Sequence, residues 1–144
     1  MTKDVLVTVA GLQLEIDAQE VVEVINRGEY YFRNGKHYII YDEFIEDESG
    51  NGIQTKCILK LNKNKVEMIR KGETQTNLIF DLGKSCQTFY YTPFGNLTLG
   101  VTTNSIEVKE TQDQITARLL YSLDINYQYV SDCELKIEVK GQKE

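Results

Sequence analysis

The residues of this sequence that could do chemistry lie mainly on predicted strands. In the run Tyr41-Asp42-Glu43, strand alternation places Tyr41 and Glu43 on one face. Ile39 and Ile45 share that face, and burial of an unpaired carboxylate among apolar side chains raises its pKa. Glu43 is therefore a candidate acid, base or ligand anchor. The structural alternative is a residue at the end of a barrel that reaches water or a paired cation.

A basic residue shows the same pattern on another predicted strand. Val66, Met68 and Arg70 alternate with Lys65, Glu67 and Lys71, so that Arg70 falls on the apolar face. An ion pair between Glu43 and Arg70 inside a barrel would satisfy both charges and could bind an anionic or polar head group. A purely structural ion pair is the simpler interpretation of the same residues.

Tyrosine is the most frequent aromatic residue, with nine copies against five of phenylalanine. Tyr41, Tyr91 and Tyr121 each lie in an alternating apolar strand, where the hydroxyl group could enter a cavity. More often, such a tyrosine is a core residue whose hydroxyl group is satisfied at the edge. With the two charged residues above, these three tyrosines form our set of candidate ligand-binding residues: Tyr41, Glu43, Arg70, Tyr91 and Tyr121.

The sequence offers no motif for catalysis. No serine has a G-x-S-x-G setting, no glycine-rich phosphate loop precedes a helix, and His37 is the single histidine. His37 follows the Asn34-Gly35 turn closely, so we expect it to be exposed rather than to act as a haem ligand. We predict no catalytic residues, and a non-enzymatic function is favoured.

Cysteine usage argues against a metal site and against export. Cys57, Cys86 and Cys133 are odd in number and widely spaced, and no C-x-x-C pair occurs. Zinc sites held by protein alone need clustered cysteine and histidine ligands. We therefore expect reduced thiols in a cytoplasmic protein, with no metal and no cofactor.

Length and charge restrict the class of protein further. The 144 residues are expected to form one domain over 1–144 with a single core. The net charge of −6 argues against nucleic acid as a partner, because binding of phosphates relies on lysine and arginine. The amino terminus lacks the pattern of a secretory signal, and no segment approaches the length of a membrane span. We expect no membrane partner.

Charge is distributed unevenly along the chain. The first fifty residues carry eleven acidic and four basic side chains, whereas lysines dominate the stretch that follows. If these stretches form antiparallel neighbours, Asp42, Glu46 or Glu48 would lie opposite lysines. Such cross-strand pairing accounts for the pattern. A basic stripe that binds a partner is the alternative.

Turn signals and alternation predict strands throughout the chain. Asn34-Gly35 is a strong hairpin signal, because both central positions of a type I′ turn need positive φ. The stretch 87–101 predicts a second hairpin around Pro93. In 117–125 and 133–140, apolar residues alternate with polar ones, which is typical of strands with one buried face. An antiparallel series of about ten strands would bury its edges by closing into a barrel.

One segment, Asp17 to Gly28, is ambiguous. Asp17 and Glu20 could form a capping box for a helix that ends at Gly28. The rival interpretation is a strand, favoured by the dense β-branched residues of 21–25 and by the aromatic residues that follow directly. We predict a strand that continues to Arg33.

Several short blocks resemble a known family. HYIIYDEF, TKCILKL, VEMIRKGE, FYYTPFGNLTLGVTT and ARLLYSLD, in that order, resemble the uncharacterised YwiB-like proteins of bacteria. The resemblance covers about 5–139 and implies a single antiparallel up-and-down β-barrel of the calycin-like (lipocalin-related) type. It implies no activity and no site residues. The chain has no tryptophan and hence no G-x-W motif of secreted lipocalins.

Two functions of different classes follow from this fold. The favoured hypothesis is a binding protein that takes a small, partly apolar ligand in the barrel lumen, because small barrels can hold one ligand. The alternative is a structural or interaction module that is filled by its own side chains and acts through its surface or as a homo-oligomer.

Overall fold

The protein is built of strands. The structure, a computed structural model, describes residues 3–11, 23–46, 50, 52–72, 75–92 and 95–142. In that part of the chain there is no helix long and apolar enough to cross a membrane. The ten strands are β1 (Asp4–Ala10), β2 (Glu23–Arg33), β3 (Lys36–Glu46), β4 (Gly52–Leu61), β5 (Lys65–Lys71), β6 (Gln75–Asp81), β7 (Ser85–Thr92), β8 (Gly95–Glu110), β9 (Gln114–Ile125) and β10 (Gln128–Gly141).

All strand pairs are antiparallel, and the strands form one sheet in the order β6-β5-β4-β3-β2-β1-β10-β9-β8-β7. Except for β6 and β7, strands that are neighbours in sequence are neighbours in the sheet, and β1 also pairs with β10. The two outer strands, β6 and β7, are joined by a short turn that bonds to β8, where Gly83 N–H donates to Thr103 O and Thr103 N–H donates to Lys84 O. The sheet is thus a nearly closed barrel, which confirms the predicted fold class.

The core lies on the inner face of the sheet, where alternate side chains meet. On β1 the inner residues are Val5, Val7 and Val9. On β9 and β10 the residues that the alternation predicted are buried, and Ile115 is buried as well; the predicted residues are Ala117, Leu119, Tyr121, Leu123, Ile125, Cys133, Leu135, Ile137 and Val139. Burial of an aliphatic side chain contributes about 1.5–3 kcal/mol, so this inner face is the main source of stability.

The turns follow the sequence signals where the structure describes them. Asn34 and Gly35 have φ of 53° and 73° and join β2 to β3, which confirms the predicted hairpin. Strands β7 and β8 pair up to Thr92 and Gly95, as the second hairpin requires. Residues 12–22 lie outside the described part, so the capping box is not tested, but the chain is a strand from Glu23 onward.

Antiparallel order gives the barrel two distinct ends. The upper end is where β1 and β3 finish and where β2 and β4 start. The lower end holds the connections at 34–35, 62–64 and 111–113. Strand β8 is long, with 16 residues, and continues past a bulge between Thr103 and Ser105. Its final residues carry Glu110 to the lower end.

Candidate ligand-binding site

A row of polar residues crosses the inner face of the barrel towards its upper end. The strand registers place Tyr41 of β3 beside Cys57 of β4, Cys57 beside Arg70 of β5, and Arg70 beside Thr76 of β6. Glu43 follows Tyr41 on the same face of β3, two residues closer to the upper end. Towards the lower end the next inner side chains are apolar, namely Ile39, Leu59, Met68 and Leu78.

Arg70 and Glu43 form an ion pair, which we call the inner ion pair. Nη2 of Arg70 donates to Oε2 of Glu43 across 2.6 Å. The Glu43 side chain is 10% exposed and the Arg70 side chain 22% exposed. A charge-assisted hydrogen bond of this length is strong, and desolvation makes each charge depend on the other. Sequence alternation predicted that both side chains lie on the apolar face of their strands, and the strand register brings them together.

The neighbouring thiol and phenol are both neutral near pH 7. Burial, followed by the nearby Glu43 carboxylate, raises the pKa of the Cys57 thiol to about 11. Burial also raises the pKa of the Tyr41 phenol well above its ordinary value, with Cys57 and Glu43 contributing. The cluster formed by Tyr41, Glu43, Cys57 and Arg70 therefore contains one positive and one negative charge, and its net charge is zero.

The barrel wall has a gap beside this cluster. In the described part of the chain, the ladder between β2 and β3 ends at the pair Gly28 and Tyr41. Above that pair, β2 continues to bond with β1, and β3 continues to bond with β4. We call the space between residues 23–27 and 42–46 the β2–β3 opening. A Cβ atom at Gly28 would lie 2.9 Å from Ile40 O, so the strands are in close contact just below the opening.

A groove of about 810 Å³ occupies the β2–β3 opening. It is lined by side chains from both faces of the wall. Tyr41 and Asn26 belong to the inner face, since Asn26 is in register with buried Val7. Outer-face residues complete the lining, among them Phe44, which is 73% exposed. The groove thus reaches from the outer surface of the barrel to Tyr41, which belongs to the polar row inside.

Asn26 presents a hydrogen-bond donor that nothing in the described structure satisfies. Its Nδ2 atom is buried, and no acceptor among the described residues bonds to it. Buried polar groups normally have a partner, so an exception requires an explanation. No sequence signal marks Asn26, because an asparagine between Ile25 and Arg27 carries no distinctive local pattern.

The other predicted site residues have different settings. Tyr121 lies in the core on β9, where its ring packs edge to face against Phe80 of β6 at 5.0 Å between centroids. The side chain of Tyr91 lies outside the described residues. Of the five candidates, Tyr41, Glu43 and Arg70 therefore form a cluster, and Cys57 was missed as its fourth member. Alternation with the polar Lys56 predicts an inner face for Cys57, but only the register puts it between Tyr41 and Arg70.

The expectation that His37 is exposed was wrong. His37 is 7% exposed and lies on the inner face of β3 at the lower end. Its Nε2 is 2.6 Å from Glu110 Oε1, and its Nδ1 is 2.7 Å from the Tyr30 hydroxyl oxygen. Because a carboxylate only accepts, a neutral imidazole would donate from Nε2 to Glu110 and accept from Tyr30. The end of β8, 73 residues away in the chain, covers this histidine.

On the outer face, the predicted charge pairing is confirmed for one residue. Asp42 of β3 lies opposite Lys56 of β4, as expected for an acidic strand beside a basic one, whereas Glu46 lies opposite Gly52 and Glu48 is outside the described residues. Among the described residues there is no group of three His, Cys, Asp or Glu side chains that could hold a metal ion.

Comparison with known proteins places the chain in a family. A sequence profile described as Domain of unknown function (DUF1934) matches residues 7–137. The chain belongs to this DUF1934 family. The match covers every strand of the barrel except parts of β1 and β10.

A curated relative and a solved structure support the same assignment. The uncharacterized beta-barrel protein YwiB of Bacillus subtilis (strain 168) is 30% identical over 107 residues, which cover 74% of this chain and 72% of the relative. The crystal structure of the ywiB protein from Bacillus subtilis aligns with a TM-score of 0.70 at 24% identity, covering 97% of this chain and 91% of that one. The structural match concerns the fold alone. Both descriptions leave the activity of the family open.

Proposed function

We propose that this DUF1934 protein binds a small, partly apolar ligand at the upper end of its barrel. The observation that carries the proposal is the inner ion pair of Arg70 and Glu43, held on a largely apolar face beside Tyr41 and next to a groove that reaches the surface. A concave site with a few converging polar groups is the usual form of a small-molecule site. The chain is not proposed to be an enzyme.

The proposal is tested by native mass spectrometry of the protein purified from its own host. A small molecule should copurify with the native protein and disappear from a denatured control. Arg70→Met keeps much of the side-chain volume but removes the guanidinium group, and should abolish copurification. Arg118→Met is the matched control, because Arg118 pairs with Glu134 on the outer surface. Absence of any copurifying molecule from both the original protein and the control would contradict the proposal.

A second candidate function has its own supporting observation. Buried residues of β6 and β9, such as Phe80 and Tyr121, contact each other inside the barrel, so part of the lumen is filled by the chain itself. A barrel filled in this way would act through its surface or as a homo-oligomer. Sedimentation of the purified protein over a range of concentrations tests this candidate, which predicts association together with no copurifying ligand.

We also propose that the protein acts in the cytoplasm. Cys57 and Cys86 are free thiols, and reduced thiols persist in that compartment. The calycin relationship implied by the resemblance remains a prediction. Fractionation of host cells, followed by detection of the protein, tests the location.

A further inference from the structure

We infer that the ligand carries a neutral head group with a carbonyl oxygen, and that this group binds within the β2–β3 opening. The inference rests on the proposed function and specifies the chemistry of the same site. Three observations carry it: the charge balance of the inner cluster, the free donor of Asn26, and the side chains that line the opening.

Charge balance disfavours an anionic head group at the inner ion pair. Glu43 already neutralises Arg70 at 2.6 Å, while Tyr41 and Cys57 are neutral. A ligand carboxylate that bonded to Arg70 would leave two carboxylates beside one guanidinium group in a largely desolvated site. Such a surplus buried charge is strongly unfavourable. A cationic head group would create the opposite surplus.

The charged residues at the rim of the β2–β3 opening also disfavour an anionic head group. They are three carboxylates and two basic side chains, namely Asp4, Glu29, Asp42, Arg27 and Lys56. The rim is thus slightly negative, and it offers an incoming anion no net attraction.

Asn26 is the residue that recognises a hydrogen-bond acceptor on the ligand. Nδ2 of Asn26 is a buried donor with no partner in the described structure, and Asn26 is one of the residues that line the groove. A carbonyl oxygen bound there would satisfy it, whereas an aliphatic group would leave it unpaired. The apolar part of the ligand would lie against Ile40 and Phe44, which line the same groove.

The experiment uses the full chain and defined probes. Prodan, a neutral naphthyl ketone, reports binding by fluorescence, and octanamide and octanoate compete with it. These competitors have the same chain length and differ in the charge of the head group. At pH 7.5, octanamide should displace Prodan at about tenfold lower concentration than octanoate, which corresponds to about 1.4 kcal/mol.

Single-residue variants then test which side chains cause the preference for octanamide over octanoate. Asn26→Leu should weaken octanamide about tenfold and change octanoate little, because only the carbonyl loses its donor. Glu43→Gln should reverse the preference in favour of octanoate, since Arg70 then lacks an internal carboxylate. Asn77→Leu and Glu67→Gln are matched controls on the outer face, and both should behave as the original protein does.

Location is tested with a pair of exposed phenylalanines. Phe44→Ala should weaken Prodan binding severalfold, while Phe89→Ala, which removes another exposed ring, from β7, should not. Thermal melting followed by circular dichroism establishes that each variant is folded. If Glu43→Gln does not fold, Asn26→Leu and the phenylalanine pair still decide the result.

The outcomes separate the inference from the function on which it rests. If no probe binds to the original protein, the proposed ligand-binding function fails, and the inference with it. If Prodan binds but octanoate competes as well as octanamide, ligand binding stands and the neutral head group is wrong. Equal effects of Phe44→Ala and Phe89→Ala would overturn the location in the β2–β3 opening.

Discussion

The two ends of the barrel place buried polar groups in opposite ways. At the lower end, Glu110 of β8 reaches His37 of β3, and Tyr30 completes a hydrogen-bonded chain that joins opposite walls. At the upper end, Arg70 and Glu43 are held on one wall, two strands apart, beside a gap in that wall. The lower contact joins strands of opposite walls, whereas the upper contact stays within one wall, where the Glu43 and Arg70 side chains are 10% and 22% exposed. The same chemistry can therefore connect two walls at one place and line a candidate site at another.

The largest expected effect concerns the inner ion pair. Arg70→Ala should lower the free energy of unfolding by about 3 kcal/mol, because it strands the buried carboxylate of Glu43. The double variant with Glu43→Gln should cost clearly less than the sum of the two single variants. Urea unfolding of the single and double variants measures the coupling. The exposed pair of Arg118 and Glu134 is the control, and additive shifts below about 0.5 kcal/mol at the inner pair would show an ordinary surface contact.

The second-largest expected effect is a loss of stability at alkaline pH, caused by the upper end of the barrel. The pKa of the Cys57 thiol is raised from 9.0 to about 11, so the folded state keeps a proton that the unfolded state loses. Below pH 9 the protonated Cys57 thiol therefore contributes about 2–3 kcal/mol to the free energy of unfolding. This contribution is lost as the pH rises to about 11. Above pH 10 the raised pKa of Tyr41 acts in the same direction.

Urea unfolding at several pH values between 8 and 11 measures this loss. In Cys57→Ala the decline between pH 9 and 10 should be shallower, while Cys86→Ala serves as the control for removing a thiol. An equally steep decline in Cys57→Ala would contradict the assignment to Cys57.

The close contact below the β2–β3 opening gives a smaller effect. A Cβ atom at Gly28 would lie 2.9 Å from Ile40 O and 3.2 Å from Tyr41 Cβ. Gly28→Ala should therefore cost about 2 kcal/mol through overpacking. Gly52→Ala is a matched control, because a Cβ atom there has no atom within 4 Å. A melting temperature unchanged by Gly28→Ala would show that the two strands are not pressed together at this point.

The contact between Glu110 and His37 at the lower end should contribute least to stability. Glu110→Gln weakens the bond to His37, and because the Glu110 side chain is 48% exposed we expect a loss of about 1 kcal/mol. Amide hydrogens near the turn between β8 and β9 should exchange faster with solvent in this variant. Glu107→Gln, an exposed carboxylate on the same strand, should leave exchange unchanged. If both variants behave alike, His37 does not fasten β8 to β3.

The amino-acid sequence by itself determined the elements of this protein. Alternation marked the inner faces of β9 and β10, and Asn34-Gly35 marked its hairpin, because side-chain facing and turn geometry depend on residues close together in the chain. The same alternation predicts, without knowledge of any contact between them, that Glu43 and Arg70 lie on inner faces. The end of β8 was not predicted, since residues 102–110 lack a clear alternation of apolar side chains.

Only the tertiary structure decided which of these residues meet. The register across β3, β4 and β5 places Cys57 between Tyr41 and Arg70, and the curvature of the barrel brings Glu110 onto His37. The β2–β3 opening likewise results from each strand bonding to its other neighbour. Register and closure depend on all the strand pairs together, so contacts between distant residues, and the site that they form, cannot be read from local patterns.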